Sequence, residues 1–478
     1  TFNPDFGQVE SDELIVNYSA VETLRTDKRP FFTENQSLFD VQGPNSLKLL
    51  NTRRIGANAE LDASQVHDIK AAGKYIKNGD GTSMGLLFAE ERDAVSSDGK
   101  QFLSGRWYTT LDNVTLGQLY NWVQNPVDNR ESIVFNQDVR YMPNDEINLA
   151  ANVLYSNNSD DQDETEGKGA TVKMSYVPVR HWQNSLEWTY LDDELDINDF
   201  GYQQRNNIST LTLDSKYDDY QMAKDSAILR TRAYLKYSGQ RNTHGLQLRD
   251  NWYASYFIRL KSRHNFRLGL DYHGQGADDL ITRQIGHVER AEQKNFHFYY
   301  ATPTPAALSF SGTYHRLQEG QSDWAHKLLL NTRAYFTDSV RLDLNYTYID
   351  SDDWLIGNSQ GQVQRYRRKM NKAFAKLVSK IDETSDFTLT SQWVGLKAYG
   401  RSTQNEVFVQ GDDFNLSQFS LQARYRKKFE SGSSFYLVYS HNGFDNEETN
   451  QIGFDDMMSN AIANPTQKRI TAKFNWLF

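Results

Sequence analysis

The 478-residue sequence contains no cysteine, so neither a disulfide nor a thiolate metal site can hold it together. Long hydrophobic runs are missing too. Mean hydropathy is −0.72, and no stretch approaches the roughly 18 consecutive apolar residues of a membrane-crossing helix, which excludes a helical membrane protein. There is no basic surplus: 52 Lys and Arg face 62 Asp and Glu, a net charge of −10, which argues against a nucleic-acid partner. Proline is scarce, with 9 residues. Enzyme signatures are also lacking, whether a zinc-protease helix motif, a phosphate-cradling glycine loop or a nucleophile elbow. The run Tyr439-Ser440-His441-Asn442-Gly443 resembles an outer-membrane phospholipase strand only weakly. Ser440 and His441 are adjacent, so on a strand they point to opposite faces and cannot form a nucleophile–base pair. The ten histidines show no metal-ligand spacing. An enzyme is not expected, nor a cofactor, nor a metal.

What the sequence does have is aromatic residues, 27 Tyr, 26 Phe and 9 Trp, and a strict period of two. Ile470, Ala472, Phe474, Trp476 and Phe478 alternate with Thr471, Lys473, Asn475 and Leu477. Phe266, Leu268, Leu270 and Tyr272 do the same against Asn265, Arg267, Gly269 and Asp271, and Val340 to Tyr348 against Arg341, Asp343, Asn345 and Thr347. The pattern recurs over Phe419 to Arg426 and Leu229 to Lys236. Side chains on a strand alternate between faces, so each segment has one lipid-grade face and one polar face. A soluble sandwich would produce the same alternation, and the connections separate the two readings. Short links at Glu430–Gly432, Asp382–Thr384, Thr337–Ser339, Thr302–Pro305, Val177–Val179 and Met142–Asp145 alternate with long ones at Phe444–Pro465, Gly400–Asn415, Ser351–Gln362, Leu191–Arg205 and Asn157–Gly167. Short periplasmic turns and long outer loops are the arrangement of a Gram-negative outer-membrane barrel. The reading is therefore all-β: a transmembrane antiparallel up-and-down β-barrel of roughly 20 to 22 strands beginning near Ile55. Phe474, Trp476 and the terminal Phe478 form the closing-strand signal for the barrel-assembly machinery. No signal peptide is visible at Thr1, so an exported chain is expected to be a processed or trimmed product.

Residues 1–60 read differently. They contain Asn3-Pro4-Asp5-Phe6-Gly7-Gln8-Val9-Glu10, Lys28-Arg29-Pro30-Phe31-Phe32 and Arg53-Arg54-Ile55-Gly56, too polar for lipid and too apolar for a linker. These runs resemble a family of outer-membrane barrels catalogued as domain of unknown function 5916. The resemblance implies a barrel after this segment and, usually, a periplasmic module similar to carbohydrate-binding module family 9 before it. The chain is expected to lack such a module in front of Thr1, whether cleaved or never present, and Leu24-Arg25-Thr26 stands where the family has an aromatic-rich stretch. The expected division is a plug or periplasmic connector over 1–60, carrying Arg29, Phe31, Phe32, Arg53 and Arg54, and a barrel over 61–478; the other reading is that 1–60 supply the first strand or two.

On the polar faces, Arg230, Arg232, Arg267, Arg333, Arg341, Arg424, Arg426 and Lys473 are interleaved with Asp271 and Asp343. In a lumen they would set the field of a selective pore or simply pair with one another. Arg365, Arg367, Arg368, Lys369 and Lys372 are expected where a strand meets an outer loop, within reach of lipopolysaccharide phosphates. The acidic runs Asp160–Glu164 and Asp350–Asp353 lack calcium-site spacing. The function expected is an outer-membrane transport channel for a polar, anionic or glycan solute or an exported polymer. The alternative is a closed docking barrel that anchors a periplasmic or surface protein, with a barrel hydrolase third.

Overall fold

The computed structural model describes residues 13–41, 47–56, 68–93, 98–401, 408–446 and 452–476. The run Asn3–Glu10 and the terminal Phe478 lie outside them. The chain divides into two compact units, one built mainly from residues 21–216 with 236–250, the other from 11–20, 217–235 and 251–478.

Among the described residues the first unit opens without strands. Its described N-terminal residues hold a helical turn, Pro30–Thr33, and 3-10 turns at Gln36–Leu38 and Thr52–Arg54. Pro30 begins the first of these because proline's missing N–H costs nothing at a helix start. The first strand among the described residues, Ile69–Asn78, begins later than the expected Ile55. From it an antiparallel ladder runs without interruption to Trp182–Leu191, each strand bonded to the next. In the second unit a similar ladder runs from Asn251–Leu260 to Pro465–Asn475. The chain is all-β, organised as large antiparallel sheet.

Two of the expected long links are short. Strands Ile147–Ser159 and Glu164–Val179 leave only residues 160–163 between them, and Val340–Gly357 and Val363–Lys380 leave 358–362. The charged residues read as loop stay in register because each finds a partner across the ladder. Asn157 donates to Glu164, Asp350 faces Lys369, and Asp352 pairs with Arg367 at 3.2 Å. The 160–163 turn is closed by Asp160, whose carboxylate accepts from the N–H groups of Gln162 and Asp163; those two bonds hold its pKa below the ordinary carboxylate value. A different surprise lies between Phe444 and Pro465, where Phe454–Ala463 is a helix. Met457 and Ala461, four apart on one stripe, are buried against the strands Ser385–Gly400, Phe414–Lys428 and Ser434–Asp445.

The two faces of the strands are inverted relative to a soluble sheet. In the first unit Trp107, Tyr120, Phe135, Val153, Val172 and Trp188 are exposed, while Ser104, Asn121, Asn136, Asn152, Thr171 and Thr189 beside them are buried. In the second, Leu268, Phe296, Phe298, Leu344, Leu437 and Ile470 are exposed. Apolar residues facing outward and polar residues inward is what strands need when the surroundings are hydrocarbon.

Candidate functional site

In the first unit, the described residues 21–41 and 47–56 are laid on the polar face of the strands. Their centre is an ion pair between Arg29 and Asp27 at 2.6 Å, with 8% and 1% of the side chains exposed. Arg29 also donates to the carbonyls of Thr52 and Ile55, and its guanidinium lies 4.4 Å over the Phe32 ring. Burial pushes the Asp27 carboxyl up, but the bonds and charge of Arg29, with a hydrogen bond from Thr52, outweigh it and hold the pKa below its ordinary value. Arg54 grips Glu22 through its two terminal nitrogens and donates from Nε to the carbonyl of Gly201. Lys74, on the first strand, donates to the carbonyls of Phe31 and Glu34. Asn121 donates to the carbonyl of Leu49 at 2.7 Å. Gly85 is small by necessity, since a Cβ there would meet Leu38 at 2.5 Å and Phe39 at 2.8 Å. Arg53, the remaining member of the expected set, is half-buried beside Arg54.

The second unit holds its own part of the N-terminal chain. Glu13 pairs with Lys372 at 2.5 Å, the Leu14 N–H donates to Gln392, and the Tyr18 ring packs 5.5 Å from Trp354 and 5.3 Å from Phe414.

The arginines singled out in the sequence fall into a repeated pattern. Arg230 and Arg232 converge on Asp218 at 2.6 and 2.8 Å. Arg333 and Arg341 converge on Asp343 at 2.5 and 3.0 Å. Arg424 and Arg426 converge on Asp386, at 3.7 Å and, for the Nε of Arg426, 2.5 Å. Each triad sets two guanidiniums around one carboxylate. All three lie beside short links, at 220–227, 338–339, 381–384 and 429–433. Arg267 instead sits between the rings of Phe257 and Tyr299, 5.8 Å from each. Asp271 accepts from Asn295 at 2.8 Å and lies 3.7 Å from His297. The His297 ring occupies the space over Gly269, where a Cβ would meet it at 2.1 Å. Lys473 faces Tyr436 on the last strand pair. Phe474 packs against Trp476 and Phe429.

The basic run near 365–372 meets carboxylates of its own chain: Arg365 with Asp353, Arg368 with Glu319 and Lys369 with Asp350. Asp218, Asp386, Asp27 and Glu22 were not singled out in the sequence. Parity alone would have put Asp218 on the face opposite Leu211, Leu213 and Tyr217, but its arginine partners lie beyond a turn.

Outward apolar strands, an inward polar face and no helix long and apolar enough to cross a membrane among the described residues make this a β-protein of the bacterial outer membrane. The chain belongs to the family described as Domain of unknown function (DUF5916), whose profile matches residues 1–84 and 136–478. No curated protein matches it in sequence. Among solved structures it is similar to the siderophore receptor PirA from Pseudomonas aeruginosa, with 7% identity and a TM-score of 0.47, covering 76% of this chain and 78% of that one. It is also similar to the ferric citrate transporter FecA in the unliganded form, at 12% identity and a TM-score of 0.41, covering 78% and 60%. A third is BauA, the ferric preacinetobactin receptor from Acinetobacter baumannii, at 7% and 0.34, covering 78% and 73%.

Proposed function

We propose that this chain closes its antiparallel sheet into an outer-membrane barrel that passes a polar, anionic solute, with residues 1–60 acting as a plug on the polar face. The observation that carries the reading is the packing of that segment against the inward face of the strands, through Arg29, Arg54 and the Lys74 contacts. A segment serving as first strands would be bonded into the ladder, and the described part of it contains no strand. The anionic preference rests on the two arginine-rich clusters Arg230–Asp218–Arg232 and Arg333–Asp343–Arg341, which with Arg267 face the water-filled side of the wall. Such a wall raises the local concentration of anions and repels cations. The test is single-channel conductance of the full chain in a planar bilayer, beside a Gly85→Val, Arg29→Ala double variant that unseats the segment. Currents that appear or grow in the double variant, with anions carrying most of them, are expected. Silence in both preparations would leave a closed docking barrel as the better account.

A further inference from the structure

The outward face of the second unit carries a charge that its surroundings do not explain. Arg316 lies on the strand Leu308–Glu319 with Tyr314 and Phe310, on the same face as the exposed Phe296 and Leu270, to which the ladder connects it directly. A guanidinium on a lipid-facing surface is expensive unless an anion meets it. Among the described residues no carboxylate pairs with Arg316. Its partners are the Trp324 ring, 4.9 Å away, and His326, which also bonds the Tyr314 hydroxyl. Both histidine nitrogens are thus engaged in holding Arg316 and Tyr314 in place. The nearby Lys294 is neutralised by Glu292 at 3.0 Å, and Asp350, which faces His326 across the ladder, lies 3.8 Å from Lys369.

Next to this cation is an apolar groove of about 650 Å³. It exists because Ala233 and Ala254 offer only methyl groups where their neighbours Tyr256, Leu268, Phe298 and Tyr314 stand out from the sheet. Arg316 closes one end. A positive rim above an apolar trough, on a face turned to lipid, is complementary to an acyl chain joined to a phosphate. Trp324 and Tyr314 are amphipathic rings of the kind that mark the membrane interface, which places the guanidinium at head-group depth.

We propose that this surface is a binding site for one phosphorylated acyl lipid, its phosphate on Arg316 and a chain in the groove between Phe298 and Leu268. The proposal rests on the lipid-facing reading of the apolar face and is independent of any channel activity.

The test uses the full chain purified in mild detergent and titrated with lipopolysaccharide, with dephosphorylated lipopolysaccharide and with inorganic phosphate, bound lipid being counted by native mass spectrometry. Removal of one cation near a lipid surface weakens binding about fivefold, so Arg316→Ala is expected to lose lipopolysaccharide by about that factor and Arg316→Lys to restore part of it. Equal retention of intact and dephosphorylated lipid, unchanged retention in Arg316→Ala, or displacement of lipid by inorganic phosphate alone would each overturn the assignment. Flotation of the chain with vesicles separates the two failures. A chain that does not float has no lipid-facing surface, whereas one that floats and ignores the phosphate has the surface without this site.

Discussion

The polar faces of the two units solve one problem in opposite ways. In the first, where the N-terminal segment covers the strands, the buried inward polar residues include the hydroxyls and amides of Ser104, Asn121, Asn136, Ser156 and Thr189, each at most 1% exposed, set among apolar residues such as Phe102, Leu119 and Leu154. Ser104 donates to Asn121, and Asn158 to the carbonyl of Asp196. Among the inward charges there, Arg106 is held by both oxygens of Asp138. In the second unit, near the short links, the inward residues are Arg–Asp–Arg triads, and Arg333 keeps half of its side chain exposed. Burying a charge removes several kcal/mol of hydration that only a well-bonded partner offsets, whereas an amide needs one hydrogen bond. Beneath the segment a charge is kept only where several acceptors close on it, as the carbonyls of Phe31 and Glu34 do on Lys74. The side-chain chemistry of an inward face therefore reports whether something lies on it.

The strongest way to break this contrast is to place a bare charge under the covered wall. Arg29→Ala leaves Asp27 buried without its partner and removes the bonds to Thr52 and Ile55, a loss of about 3–5 kcal/mol. The segment should then be cut by protease under conditions that spare the parent, while the strands still show heat-modifiable migration on gels. Gly85→Val attacks the same contact sterically and should cost about 1–3 kcal/mol by displacing Leu38 and Phe39, measured as a lower midpoint in urea for segment release. Acid should act more gently through Asp27. Its folded pKa lies below the ordinary 3.8, so its contribution is fully present above that value and is lost as pH falls through the folded pKa. Protease sensitivity of the parent should rise only below about pH 4, and a transition centred near neutrality would contradict the assignment of Asp27.

The uncovered wall should respond in function rather than stability. Asp343→Asn frees both Arg333 and Arg341. Because Arg333 is half exposed, the stability change is expected to stay within about 1 kcal/mol. The reversal potential in a salt gradient should nonetheless move further toward anions, and a shift toward cations would sink the selective-wall reading.

How much of this was legible beforehand varies with the distance over which residues interact. The alternation at Phe266–Tyr272 and Val340–Tyr348 put Arg267 and Asp343 on the polar face, and the structure keeps them there. The Arg333–Asp343 pair was within reach because one short turn joins its strands. The pairing of Arg424 and Arg426 with Asp386 was not, because a whole strand and the 401–413 link intervene. The charged ends at Glu164–Glu166 and Asp350–Asp352 looked like loops because composition cannot show that each has a cross-strand partner. The helix Phe454–Ala463 was missed because its apolar stripe is short and its stability comes from the strands beneath it.

Sequence by itself determined the period of two, the apolar and polar faces and the short links, since these follow from backbone geometry and the preferences of neighbouring residues. The tertiary structure decided which aspartate each arginine meets, what covers the inward face and where the Arg316 guanidinium is set beside Trp324 and His326 on the outward face. Those outcomes depend on contacts between residues far apart in the chain, whose energies arise only when the strands come into register.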